Sequence, residues 1–265
     1  MADLWDDLLA CLDLTPLSGE DGFGGPNLRL EYHRLFGGQL IGQFIAAAQL
    51  SCPEKSVKSL HVLFPREGHA DEPVRYLVER HHSGGTFATL AVTARQSRGV
   101  IATASVSMHA AEEGPARQSA APVREVPADA PETELTLMPF PVRSKSSLDT
   151  RETAPPEYSL WFRTPPVSPV LAPAVAAYAT DLTLIGTALR SVPGVSQADA
   201  GKAFTSAVTS HTIWFHRPFR TDAWLLLRQQ SPVHAHGRSF GRGDLLTADG
   251  TLVASYAQEA LLRFR

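Results

Sequence analysis

The chain has 265 residues, 43% of them hydrophobic and 19% charged, with a net charge of −3. This is ordinary globular composition, long enough for two cores, with no run of Lys or Arg suited to nucleic acid. No stretch approaches the ~18 consecutive apolar residues that span a bilayer, and the acidic start Met1-Ala2-Asp3-Leu4-Trp5-Asp6-Asp7 is unlike a basic secretory leader. A cytoplasmic protein with neither membrane nor nucleic-acid partner is therefore expected. Cys11 and Cys52, the only cysteines, are too far apart for a CxxC site and read as small buried hydrophobes.

In chain order, each half reads as one helix followed by several antiparallel strands. Leu40, Ile41, Phe44, Ile45 and Ala48 recur at helical spacing after the break Gly37-Gly38. Segments rich in Val, Thr, Phe and Leu, separated by turn signals, follow as antiparallel strands. Twelve of the twenty prolines then fall between Pro115 and Pro173, where a continuous sheet or long helix is excluded because proline removes donors and fixes the backbone. Alternation in Tyr158-Ser159-Leu160-Trp161-Phe162-Arg163 marks a short strand. Val175, Tyr178, Leu182, Ile185 and Leu189 form one apolar stripe on a second helix, which Pro193-Gly194 ends. Strands fill the remainder. The division expected is 1–110, a proline-rich linker over 111–145, and 146–265.

The two halves resemble each other. An offset of 151 places Ser59, Phe64 and Arg66 on Ser210, Phe215 and Arg217, and Gly99-Val100-Ile101-Ala102 over Gly250-Thr251-Leu252-Val253. Gly84-Gly85-Thr86-Phe87 matches Gly237-Arg238-Ser239-Phe240 at an offset of 153. Three matches in order point to a duplication. The class is α+β, with one helix and a curved antiparallel sheet made twice.

Asp181 faces the same side as the apolar stripe, where a carboxylate is unfavourable unless paired, hydrated or used. It is either a structural hydrogen-bonder or a general base beside a cavity. Gln258, on the alternating segment that begins at Leu252, can both donate and accept, and so can orient a water. His234-Ala235-His236 lacks an evident third ligand, so no metal is expected. His216 reads as a packing and hydrogen-bonding residue. No GxSxG elbow is present.

Four blocks carry a family resemblance: Arg34-Leu35-Phe36-Gly37-Gly38-Gln39-Leu40-Ile41-Gly42-Gln43, Tyr178-Ala179-Thr180-Asp181-Leu182, His211-Thr212-Ile213-Trp214-Phe215-His216-Arg217-Pro218 and Ala257-Gln258-Glu259. In this order they resemble the type II (TesB-like) acyl-CoA thioesterases. The resemblance implies a double-hotdog fold, acyl-CoA as substrate, hydrolysis to free acid and CoA as part of fatty acid metabolism, no cofactor, and a homodimer. It also implies a catalytic Asp, Gln and Thr or Ser, which fall on Asp181 and Gln258 and, for the hydroxyl, on Val208. Alternation along the strand puts Ser206, Ser210 and Thr212 on the face of Val208 and turns Thr209 away, so Ser210 or Ser206 is the expected substitute, with Ser210 taken as the catalytic candidate. The amides of Gly37, Gly38 and Gln39, opening the first helix, are the candidate oxyanion and substrate-binding donors. The alternative is a catalytically weak or inactive acyl-CoA binding protein of the same fold, which Val208 favours.

Overall fold

A computed structural model describes residues 4–30, 34–124 and 126–265. Its contacts divide the chain into two compact units. The first takes the residues up to Arg117 together with Ser168–Ala179, and the second takes Gln118–Val167 and Thr180–Arg265.

In the first unit, helix α1 (Leu4–Leu12) is followed by β1 (Thr15–Pro16), β2 (Gly22–Gly25), helix α2 (Gly37–Ser51), and strands β3 (Ser56–Leu63), β4 (Val74–Ser83), β5 (Phe87–Gln96) and β6 (Gly99–His109). Its antiparallel sheet runs β1-β2-β4-β5-β6-β3. The helix read from Leu40 to Ala48 is α2, and it begins at the glycine pair as expected. Every residue from Gly38 to Ala48 is buried, so α2 is a core helix enclosed all round rather than a surface helix with one apolar stripe. Its polar members are therefore hydrogen-bonded internally. The Gln39 carbonyl accepts from the Leu28 N–H at 3.0 Å, while its amide donates to Asn27 Oδ1 at 2.9 Å and Gln43 Oε1 at 3.2 Å. Tyr76 donates to Gln43 Oε1 at 2.6 Å. Both cysteines are free and buried, and burial pushes the Cys11 thiol up to about 12.

Gly38 is required by a close approach. A Cβ there would run into the Phe36 ring and lie 2.7 Å from the Tyr178 carbonyl oxygen, a backbone atom that cannot swing aside. Gly38→Ala is accordingly expected to lower stability by about 1–3 kcal/mol, the usual cost of overpacking. A urea unfolding midpoint unchanged from wild type would contradict this packing.

The second unit opens with the proline-rich stretch. Gln118 bonds both the carbonyl of Gly250 (2.7 Å) and the N–H of Leu252 (3.0 Å). Ala120, Val123 and Ala130 pack with Trp161, Leu226 and Leu246. Two-residue strands β7 (Glu132–Thr133) and β8 (Val142–Arg143) lead to β9 (Glu157–Phe162). Helix α3 (Ala172–Thr180), which belongs to the first unit as far as Ala179, comes next in the chain, and the second unit resumes with α4 (Leu184–Leu189), β10 (Phe204–Phe215), β11 (Leu225–Ala235), β12 (Arg238–Thr247) and β13 (Leu252–Phe264). The sheet order is β10-β13-β12-β11-β9-β8-β7. The order β3-β6-β5-β4-β2 of the first unit is thus repeated as β10-β13-β12-β11-β9.

Strand pairing refines the repeat. Ser59 pairs with Ser107 and Ser210 with Glu259, so β6 maps onto β13 at an offset of 152, one more than the sequence match assigned. Phe87 pairs with His109 and Arg238 with Leu261, so β5 maps onto β12 at 151, not 153. Short glycine-containing blocks match well at several nearby offsets, and only the ladder selects one.

The second correction concerns the helix expected over 175–189. It is two helices, because α3 ends at Thr180 and a turn over 181–183 precedes α4. Thr183 stands at the N-cap position with φ −121° and ψ −6°. Asp and Thr offer the backbone alternative hydrogen bonds, and so favour such interruptions. The stretch Ala172–Leu189 has the length and a mean hydropathy (1.2) of a membrane span, which the sequence reading did not anticipate, but 83% of it is buried inside the protein.

Candidate active site

The turn between α3 and α4 carries Asp181, which is 5% exposed. Its neighbours anchor it to the sheet of the second unit in two places. On one side, Thr180 Oγ1 lies 3.1 Å from His211 Nε2, and His211 Nδ1 lies 3.3 Å from Gln258 Oε1. On the other, Gln229 Nε2 donates to Thr183 Oγ1 and Thr187 Oγ1, both at 2.7 Å, and Gln229 Oε1 accepts from the Tyr256 hydroxyl at 2.8 Å. Burial raises the Tyr256 phenol far above its usual range, so it remains a donor. The rings of His211 and Tyr256 stack at 6.1 Å, linking the two chains. Gln258 is thus linked through His211 to Thr180, the residue that precedes Asp181 in the turn.

Gln258 is 2% exposed, and its Nε2 is a buried donor with no hydrogen-bond partner among the described residues. Leaving such a donor unsatisfied costs about 1–3 kcal/mol, so this position favours an oxygen acceptor beside it.

Ser210 does not join this cluster. A β-bulge between Val208 and Ser210 inserts Thr209, so Val208 pairs with Ala260, Ser210 with Glu259, and His211 with Gln258. Directly paired residues share a face, so the bulge reverses the expected alternation. Val208, His211 and Gln258 face the helix side, and Ser210 faces outward with Glu259. Thr209 donates to the Glu259 carbonyl at 3.0 Å. His216 is on the outer part of the sheet, 3.1 Å from Ser255 Oγ. A surface depression of about 620 Å³, lined in part by Trp214, Arg228, Phe240, Arg242 and Ser255, opens there rather than at Asp181.

Gly37 and Gly38 open α2, where first-turn amides lack intrahelical acceptors. The Gln39 side chain is engaged by Leu28, Asn27 and Gln43 and serves the packing of the first unit, while its backbone N–H lies in the same first turn as those of Gly37 and Gly38.

The sequence reading missed His211, Thr180, Thr183, Gln229 and Tyr256 as members of the site. The repeat contained a signal for His211. The first unit has the same bulge, between Val57 and Ser59, and there Leu60 pairs with Val106 where His211 pairs with Gln258. A polar pair stands in one half where its duplicate carries two apolar residues, both almost fully buried. The polar set is therefore built once, in the second unit.

Comparison with known proteins places this architecture. A conserved protein with a hot dog fold from Alicyclobacillus acidocaldarius superposes with a TM-score of 0.77 at 20% identity, over 97% of this chain and 98% of its own. The acyl-CoA thioesterase II TesB2 of Mycobacterium marinum superposes with a TM-score of 0.81 at 34% identity, over 97% and 98% of the two chains. Two helix-and-sheet halves in one chain define a double hotdog. The family models "Acyl-CoA thioesterase N-terminal domain" and "Acyl-CoA thioesterase C-terminal domain" match residues 29–109 and 115–262. A curated relative, acyl-CoA thioesterase 2 of Haemophilus influenzae, is 29% identical over 289 residues, covering 100% of this chain and 99% of the relative. The chain belongs to the type II acyl-CoA thioesterase family.

Proposed function

We propose that this protein hydrolyses acyl-CoA thioesters to free acid and CoA with water activated at Asp181 and Gln258. The observation that carries the reading is the buried, unpartnered Nε2 of Gln258, joined through His211 and Thr180 to the turn that bears Asp181. Asp181 takes a proton from the water as its oxygen bonds to the thioester carbonyl carbon. Collapse of the adduct breaks the C–S bond, and the proton is returned to the departing thiolate or to solvent. The reading includes a cytoplasmic homodimer, supported by the two free thiols for the compartment and by the family resemblance for the assembly. Free-thiol release from a panel of acyl-CoA chain lengths tests the activity, and the absence of release at every length would contradict it.

The second reading, an acyl-CoA binder with little turnover, is favoured by Val208. The bulge places Val208 on the same face as His211 and Gln258, so a hydroxyl introduced there enters the cluster side. Val208→Thr is expected to raise turnover at least about tenfold, or ~1.4 kcal/mol in the barrier. Ser210→Ala, on the outer face, should leave it within about twofold. A rate unchanged by Val208→Thr and lowered by Ser210→Ala would contradict this placement. Both are read by thiol release.

A further inference from the structure

An amide has two chemically different ends, and in Gln258 one of them is already engaged. Its Oε1 lies 3.3 Å from His211 Nδ1. A carbonyl oxygen only accepts, so the proton of this contact sits on Nδ1. In a neutral imidazole the other nitrogen is then an acceptor, and Thr180 Oγ1, 3.1 Å away, donates to it. Stacking on Tyr256 at an interplanar angle of 14° fixes the ring plane. We infer that His211 is a positioning residue that holds Gln258 with its NH₂ group turned toward the reacting oxygen, so that Gln258 acts in the reaction only as a donor.

Two observations support the assignment beyond the distances. The freed end of the amide is the end left without a partner: Nε2 is buried and unbonded among the described residues. The duplicated half builds the same bulge and the same strand pairing with Leu60 and Val106, so the polar pair is not a requirement of the fold. The inference rests on the hydrolytic reading and gives it a division of labour. Gln258 does not take the water's proton, because a neutral amide is not a base, and its carbonyl oxygen is turned toward His211. That proton goes to Asp181, and the Gln258 N–H groups hold an oxygen, either of the attacking water or of the carbonyl as it gains charge.

The test has two arms. In the intact protein labelled with ¹⁵N-histidine, the signal lost in His211→Asn should show a protonated Nδ1 and an unprotonated Nε2. A ring protonated at Nε2 alone would overturn the inference. In thiol-release kinetics, His211→Phe should lower kcat on the order of 10²-fold, the scale of a mispositioned group, with KM within about twofold. His211→Asn, whose amide can donate from near the Nδ1 position, should recover part of the loss. In a Gln258→Ala background, His211→Phe should cost no more than about twofold further, because its target is gone. A loss as large as in wild type would show that His211 acts independently of Gln258 and would overturn the inference. The tautomer is read without turnover. A protein with Nδ1-protonated His211 that releases no thiol would sink the hydrolytic reading and leave the orientation of the amide standing.

Discussion

Asp181→Asn is expected to lower kcat by about 10²–10⁴-fold, the range for loss of a general base. The substitution keeps the shape of the side chain and removes the basic oxygen, so the α3–α4 turn and the unfolding midpoint should be little changed. Burial sharpens the expectation. At 5% exposure the carboxylate lies away from bulk water, and solvent cannot readily take over its role. Thiol release with saturating acyl-CoA reads the effect, and a variant within about twofold of wild type would remove Asp181 from the mechanism, since that is well under the ~1.4 kcal/mol of a tenfold change.

The second large effect is expected away from the reacting groups. Gln229 is buried and bonded at both ends, to Thr183 and Thr187 through its amide and to the Tyr256 hydroxyl through its carbonyl. Gln229→Leu preserves volume but strands the Tyr256 donor and removes the donor that Thr183 Oγ1 accepts at the start of α4. Each orphaned buried group costs about 1–3 kcal/mol, so a total loss of about 2–5 kcal/mol is expected. That is a large fraction of the ~5–15 kcal/mol stability of a typical domain. The start of α4 and the Asp181 turn should loosen with it, lowering kcat as well. Urea unfolding measures the first effect, and an unchanged midpoint would show that these hydroxyls find other partners.

Much of this was legible in the sequence, for identifiable reasons. Helix α2 was readable because a glycine pair precedes a dense apolar run, and both signals act locally. The duplication was readable because strand-turn blocks recur in order. The break at Asp181 was not, because the apolar stripe continues in register from Tyr178 through Leu182 and Ile185, and periodicity does not register a two- or three-residue interruption. The face of Ser210 was misread for a related reason: alternation assumes a regular strand, and the extra residue Thr209 reverses it beyond the bulge. Gln39 stands in a helix-start block, but its role depends on Asn27, Leu28 and Gln43 meeting around it. His211 became legible only against its counterpart Leu60, once the ladder had fixed which residues correspond.

The central claim is that water, activated at Asp181, attacks the thioester directly. A single turnover in H₂¹⁸O with enzyme in excess over an acyl-CoA tests it. One ¹⁸O atom should appear in the acid released in that first turnover, together with one equivalent of free thiol, and none should appear in the protein. Unlabelled acid with ¹⁸O retained on Asp181 would mean that the carboxylate itself attacks the acyl group and would contradict the account.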